Sequence, residues 1–130
     1  MPQDREGGTE ANRFGREYGE KIIAALGAKK VKAGSNECIL DGKRVSLHCA
    51  HKNTKSVGVT KLCLRRLEAV LAALEQEDGS FRVLQLPADQ YAKHSRPTSS
   101  RGPSAGRVVL VRTAIFQDHG KLVKVIPPIT

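Results

Sequence analysis

A short β-hairpin gives the strongest local signal in the sequence: residues 37–49 read ECILDGKRVSLHC. Asp41-Gly42 separates two runs in which apolar and polar residues alternate. A two-residue type I′ turn needs positive φ at both central positions, and Asp-Gly is a preferred pair for that turn. The pattern therefore predicts one strand over residues 36–40, a tight turn, and a second strand over residues 43–49.

The same turn predicts which residues face each other across the hairpin. A two-residue turn places Glu37 opposite Ser46 and Ile39 opposite Arg44. Side chains alternate between the faces of a strand, so His48 shares a face with Ser46. Glu37, Ser46 and His48 then form one polar patch, whereas a longer turn would change the pairing. The other face carries side chains suited to a core: Cys38, Leu40, Val45, Leu47 and Cys49.

Helical and strand patterns continue on both sides of the hairpin. Apolar residues at helical spacing predict a helix over residues 12–26, with Asn12 as N-cap and a stop at Gly27. A third short strand is expected over 56–59. Thr60 can cap a second helix that ends at Gly79, and its apolar stripe consists of Leu64, Leu67, Leu71 and Leu74.

The rest of the chain predicts more strand than helix. Residues 81–86 form a strand pattern that ends at Pro87, residues 88–94 suit a short helix, and residues 95–106 form a long basic loop. Two strand-like runs, 107–116 and 121–126, are expected to pair as a C-terminal hairpin. We therefore predict an α/β fold with the order α-β-β-β-α-β plus that hairpin. One domain over 12–130 holds a mixed sheet with helices packed on it, after a disordered tail at 1–11.

Composition narrows the class of protein. The chain has 130 residues and a net charge of +9, with five aromatic residues and no tryptophan. No apolar run is long enough for a membrane span, and residues 1–10 lack the apolar stretch of a signal peptide. Three cysteines, an odd number, do not suggest a secreted disulfide framework. These features favour a reduced, basic, cytoplasmic domain.

Positive charge is concentrated in two segments. Residues 35–66 carry seven basic and two acidic side chains, and residues 91–130 carry seven and one. A basic surface favours a polyanionic partner, of which nucleic acid is the commonest, and we expect DNA rather than RNA. The scarcity of aromatic residues disfavours single-strand recognition by stacking. The candidate phosphate contacts are Lys43, Arg44, Lys52, Lys55, Lys61, Arg65, Arg66, Arg96 and Arg101.

The predicted order over residues 12–87 resembles the core of the restriction-endonuclease-like, PD-(D/E)xK nuclease superfamily. The segment GREYGEK at residues 15–21 looks like the helix that contributes an acidic residue near the metal in that superfamily. Glu37 falls at the position of the family's acidic metal ligand. The triplet Ser46-Leu47-His48 falls at the position of (D/E)-x-K. The resemblance implies a phosphodiesterase that uses Mg²⁺ or Mn²⁺.

This sequence departs from the superfamily pattern within the triplet. Ser46 supplies no carboxylate, and His48 is not a permanently charged lysine, although it can bind a metal or take a proton. Glu20 is a candidate for the missing carboxylate, so that Glu20 and Glu37 would hold the metal. His48 or Lys52, four residues further along the chain, would then assist the attacking water.

Other chemistries have weaker support. His48, Cys49 and His51, with Cys38 or Cys63, could suggest zinc, but structural zinc sites usually show two closely spaced ligand pairs. A Cys–His hydrolase is disfavoured because neighbouring strand residues point to opposite faces. A phosphate-binding loop of the nucleotide-hydrolysing type is missing from the sequence.

Two hypotheses of different classes remain. The first is a DNA-interacting protein with a nuclease-like core, whose atypical site can be a metal-dependent phosphodiesterase. The second is a non-catalytic basic module for nucleic acid or an acidic protein partner. A nuclease assay with Mg²⁺ and Mn²⁺ on the wild type, Glu37→Ala and His48→Ala separates the two.

Overall fold

Two β-sheets and four helices make up the described part of the chain. The computed structural model describes residues 17–32, 35–97 and 107–128. The helices are α1 (17–26), α2 (Lys61–Arg65), α3 (Ala88–His94) and α4 (Thr113–His119). The strands are β1 (Lys29–Lys30), β2 (Glu37–Leu40), β3 (Lys43–Ala50), β4 (Ser56–Thr60), β5 (Ala69–Glu75), β6 (Phe81–Pro87), β7 (Arg96–Pro97), β8 (Val108–Arg112) and β9 (Lys121–Ile126).

The larger sheet is mixed, which confirms the predicted fold class. Its six strands lie in the order β1-β2-β3-β5-β6-β9. Strands β3 and β5 pair in parallel, and the other neighbours in this sheet are antiparallel. A smaller antiparallel sheet has the order β4-β8-β7. The element order matches the prediction in outline, although residues 66–79 and 107–116 form other elements than predicted.

Apolar side chains cover both faces of the larger sheet. On one face, Ile22 and Ile23 of α1 pack against a cluster that includes Leu71 and Val83. On the other face, a second cluster joins Val70 and Leu86 to residues of the smaller sheet, α3 and α4. The larger sheet is therefore a central layer, with α1 on one side and the smaller sheet with its helices on the other.

The second helix is much shorter than the sequence predicts. Thr60 is its N-cap, as expected, because its Oγ1 accepts a hydrogen bond from the Cys63 N–H at 3.1 Å. The helix ends at Arg65, and Ala69–Glu75 is a strand rather than its continuation to Gly79. Strand β5 lies between β3 and β6 and is buried on both faces, so its residues are apolar without alternation.

The prediction that residues 107–116 and 121–126 pair as a C-terminal hairpin is wrong. The run 107–116 divides into β8 and the first half of α4, and β9 follows α4. Strand β8 pairs with β4 and β7, whereas β9 pairs with β6 of the other sheet. Buried Phe116 belongs to α4, where it joins the core between the sheets. The terminal segments therefore link the two sheets instead of pairing with each other.

The remaining expectations agree with the described residues, with three small differences. Residues 17–26 are helical, and residues 88–94 form α3. The third strand exists as Ser56–Thr60 but belongs to the smaller sheet, and Pro87 is the last residue of β6. Arg96–Pro97, at the start of the predicted loop, forms β7. The tail at 1–11, residues 12–16 and the rest of the loop at 98–106 lie outside the described residues.

The junction between α4 and β9 has no room for a side chain. A Cβ on Gly120 would meet the carbonyl oxygen of Phe116, and it would lie 3.2 Å from the carbonyl oxygen of Gln85. We expect Gly120→Ala to lower the free energy of unfolding by about 1–3 kcal/mol, because backbone atoms must shift. Chemical denaturation measures this change.

Gly19→Ala is the matched control for Gly120→Ala. Gly19 lies within α1, and among the described residues a Cβ there would contact the Cys49 sulfur alone, at 4.0 Å. Alanine is a better helix former than glycine, and this contact is an ordinary van der Waals one. The free energy of unfolding of this variant should therefore rise by up to about 1 kcal/mol. Equal losses in the two variants would contradict the steric account of Gly120.

Candidate functional site

The hairpin has the register that its sequence predicts. Glu37 pairs with Ser46, and Ile39 pairs with Arg44. Both turn residues have positive φ, 53° at Asp41 and 79° at Gly42, as a type I′ turn requires. The local sequence therefore determines how the two strands align. This alignment brings Glu37 of β2 next to Ser46 of β3, with His48 on the same face.

The two faces of the hairpin also separate as predicted. Cys38, Leu40, Val45 and Leu47 are buried in the cluster beneath α1, and Cys49 packs against it. Glu37, Ser46 and His48 point to the opposite face, on the side of the smaller sheet and α2. The polar patch predicted from the sequence is therefore present, and its side chains are held by specific partners.

The Glu37 carboxylate is bound by two arginines, and we call these three residues the Arg–Glu–Arg cluster. Arg66 donates from Nε to Oε1 and from Nη2 to Oε2, both at 2.9 Å. Arg44 donates from Nε to Oε1 at 3.2 Å. The Glu37 side chain is only 8% exposed, while those of Arg44 and Arg66 are 37% and 50% exposed. Both carboxylate oxygens thus have charged partners.

These contacts keep Glu37 ionised. The hydrogen bonds from Arg66 are the main reason that its pKa lies below the ordinary value; burial opposes them, and Arg44 adds to them. Arg66 reaches Glu37 because it directly follows α2, whose start is capped by Thr60. A bidentate arginine–carboxylate pair of this kind has a fixed geometry, and it uses the oxygens that would otherwise bind a metal.

Ser46 and His48 form a second contact beside this cluster. Ser46 Oγ lies 2.9 Å from His48 Nε2, and Asn36 Nδ2 lies 3.5 Å from His48 Nδ1. Ser46 is completely buried, so its hydroxyl is not positioned to attack a substrate. Burial lowers the pKa of His48 to about 4, so its imidazole is neutral at neutral pH. His48 therefore does not supply the positive charge of the lysine in the nuclease motif.

Glu20 lies away from this patch. It belongs to α1, which covers the opposite face of the larger sheet, and its carboxylate accepts a hydrogen bond from Lys30 Nζ at 2.9 Å. That hydrogen bond lowers the pKa of Glu20. Among the described residues, no three His, Cys, Asp or Glu side chains are grouped so that they could hold a metal ion. The arrangement of Glu20 and Glu37 therefore does not fit the Mg²⁺ or Mn²⁺ site that the resemblance implies.

Lys52 also lies elsewhere. Its backbone N–H donates to Glu75 Oε1 at 3.1 Å, and its Nζ lies 3.7 Å from Glu77 Oε2. His51 Nδ1 lies 3.4 Å from the same Glu75 oxygen. These residues line an open polar cleft of about 180 Å³ between the end of β5 and α4. Lys52 therefore does not turn back toward His48.

The zinc and Cys–His alternatives gain no support from this geometry. His48 and Cys49 point to opposite faces of β3, and burial raises the pKa of Cys49 to about 12. Burial is also the main cause that raises the pKa values of Cys38 and Cys63. Burial therefore favours the protonated thiols, whereas nucleophilic attack needs the thiolate.

The predicted phosphate contacts occupy different parts of the fold. Lys43 and Arg44 begin β3, Lys61 and Arg65 belong to α2, Lys55 precedes β4, and Arg96 begins β7. Arg101 lies outside the described residues. Two further exposed cations were not predicted from the sequence: Arg107 precedes β8, and Arg112 is the last residue of that strand. The sequence could have indicated them, because the two arginines lie at either end of the apolar run 108–111, which forms most of β8.

Comparison with known proteins assigns this chain to no family. No protein-family model matches the chain, and no curated protein matches it. Within residues 17–32, 35–97 and 107–128, no helix is long and apolar enough to cross a membrane. The class is therefore defined by the fold and the site themselves: an α/β protein with a mixed sheet and an arginine-bound glutamate on its β2–β3 hairpin.

Proposed function

We propose that this protein is a non-catalytic nucleic-acid-binding module. The observation that carries the proposal is the Arg–Glu–Arg cluster. It combines two guanidinium groups with one carboxylate at the position where the nuclease resemblance requires a metal ligand. The cluster keeps one net positive charge on a partly exposed surface. That charge disfavours a divalent cation and favours a phosphate group.

The geometry of the two arginines supports phosphate binding. Arg44 donates to Glu37 through Nε, and within the described residues its two Nη groups make no hydrogen bond to another side chain. Guanidinium groups that keep free N–H donors bind phosphate in a planar, bidentate manner. Arg65, the last residue of α2, is exposed and directly precedes Arg66 in the chain. A further phosphate of a polyanion can therefore be contacted near Arg66.

The same contacts argue against catalysis. A metal ion at Glu37 would have to displace Arg66, which holds both carboxylate oxygens. The neutral His48 and the buried Ser46 supply neither the charge nor the carboxylate of the nuclease triplet. The patch therefore lacks the charge and the carboxylate that the resemblance to the nuclease superfamily requires.

Cleavage and binding are tested together. A fluorescent 20-base-pair DNA is incubated with the wild type, Glu37→Ala and His48→Ala in Mg²⁺ or Mn²⁺, and binding is followed by anisotropy as salt is raised. We expect wild-type binding that weakens steeply with salt, and no cleavage. Metal-dependent cleavage that is lost in both variants would support an enzyme instead. No binding to DNA or RNA at low salt would overturn the proposal.

Glu37→Gln should strengthen DNA binding. Removing the carboxylate charge frees the guanidinium groups of Arg44 and Arg66 for phosphate, and we expect an affinity about 3–10-fold higher at low salt. A metal ligand would behave in the opposite way, since its loss weakens metal-dependent binding. Glu17→Gln, on the exposed side of α1, removes the same charge elsewhere and should change affinity less than about twofold. Equal effects of the two variants would show that only net charge matters.

A further inference from the structure

The smaller sheet presents an outer face with no acidic side chain in any of its strands. Val57, Val59, Val109 and Val111 point inward and are buried. Because side chains alternate, Arg112 points outward from β8, together with Val108 and Leu110. Arg96 of β7 pairs with Leu110 and shares this outer face. The three strands read SVGVT, RP and VVLVR, with arginine as their only charged residue.

Exposed basic residues also lie at both ends of the smaller sheet. At one end, Lys55 precedes β4, and its carbonyl oxygen accepts a hydrogen bond from the Thr113 N–H at 2.8 Å. At the other end, the Lys61 N–H donates to the Arg107 carbonyl oxygen at 2.8 Å. All these cations are exposed, and none forms an ion pair within the described residues. Basic residues therefore lie at both ends of this sheet, and none of its three strands carries a carboxylate.

The centre of the face is low and apolar. Gly58 lies in the middle of β4, and a Cβ there would approach Leu110 Cδ2 and Val108 Cγ1 to 3.1 Å. The side chains of Val108 and Leu110 therefore lie over the glycine rather than standing away from the sheet. The outward positions at the two ends of β4 are Ser56 and Thr60, whose hydroxyls can donate hydrogen bonds to phosphate.

The geometry points to the backbone of duplex DNA as the ligand of this outer face, an inference that rests on the proposed function and adds a second contact surface to the Arg–Glu–Arg cluster. Five strand residues span about 14 Å, over which one strand of B-form DNA carries about four phosphates. Basic groups at the two ends of the face are therefore spaced to contact phosphates about four positions apart on one strand. None of the three strands has an aromatic side chain, so contact is made to the backbone and not by base stacking.

The test compares two double variants that remove the same charge. Arg96→Gln/Arg112→Gln changes the outer face, and Lys29→Gln/Lys32→Gln changes exposed lysines around β1 on the larger sheet. Binding of a 20-base-pair DNA is measured by anisotropy from 50 to about 200 mM salt. We expect the face variant to bind at least about tenfold more weakly and to lower the salt slope by about 2. The control should change affinity less than about threefold.

The outcomes separate this inference from the proposed function. If the wild type binds DNA but the affinities of the two variants fall equally, the proposed nucleic-acid-binding function is supported. The outer face is then not a DNA contact. The face assignment also fails if single-stranded DNA or duplex RNA binds more tightly than duplex DNA. If the wild type binds no nucleic acid, the proposed function itself fails. Unchanged thermal unfolding of both variants ensures that affinity reports on contacts and not on folding.

Discussion

Tyr91→Ala is expected to lower the free energy of unfolding by about 3–5 kcal/mol, the range for removing a large buried aromatic side chain. Tyr91 is completely buried in α3, and its ring lies edge-on to Phe116 with 6.2 Å between the centroids. Its hydroxyl oxygen lies 2.8 Å from the carbonyl oxygen of Val57 and 2.7 Å from that of Val109, and its single hydrogen is shared between the two acceptors. The side chain therefore joins α3 to both β4 and β8, and its loss leaves a cavity and unpaired polar groups.

Tyr91→Phe separates the two contributions. It keeps the ring and removes only the hydroxyl, so the expected loss is about 1–2 kcal/mol. Leu62→Ala is the control, because Leu62 is 71% exposed and its truncation should change stability by less than about 0.5 kcal/mol. Urea denaturation at neutral pH gives all three values. If Tyr91→Phe matched the wild type, the hydroxyl contacts would have no role in holding the smaller sheet.

The protein should lose stability between pH 6.5 and pH 4 because of His48. In the unfolded chain this histidine has its ordinary pKa of 6.5, whereas burial lowers its pKa in the folded protein to about 4. The unfolded state therefore binds the proton first as pH falls, and the folded state is destabilised relative to it. The shift corresponds to a loss of up to about 3 kcal/mol, complete near the lower pKa.

His48→Gln should remove most of this pH dependence. Protonation of Glu37 lowers stability only as the pH falls below the ordinary glutamate pKa of 4.5, because its pKa in the folded protein is lower still. The interval from pH 4.5 to pH 6.5 therefore reports on the protonation of His48. His119→Gln is the control, because His119 is exposed at the end of α4. The measurement is the free energy of unfolding at half-unit steps of pH. A wild-type curve that stays flat through this interval would contradict the burial of His48.

The sequence predicts the hairpin well because its signals are local. Asp41 and Gly42 determine the turn, and alternation then assigns Glu37, Ser46 and His48 to one face. The contact between Glu37 and Arg66 could not be predicted in this way. It joins residues 29 positions apart, and it depends on where α2 ends.

The error at residues 66–79 also has a physical origin. Leu64, Leu67, Leu71 and Leu74 recur at helical spacing, but residues 69–75 read AVLAALE and are apolar at nearly every position. A strand buried on both faces gives no period-two signal, so periodicity alone cannot distinguish it from a buried helix. These residues form a strand because they pair with β3 on one side and β6 on the other, and the strand is buried on both faces.

The parallel pairing of β3 with β5 has a consequence for folding kinetics. The connection between these strands contains β4 and α2, so a strand of the smaller sheet forms within the crossover of the larger one. Later, β7 and β8 lie in the smaller sheet between β6 and β9 of the larger sheet. Neither sheet is a continuous length of chain, and many contacts join distant residues. Such a topology favours slow folding in one cooperative step, so the outer face and the hairpin should form and be lost together.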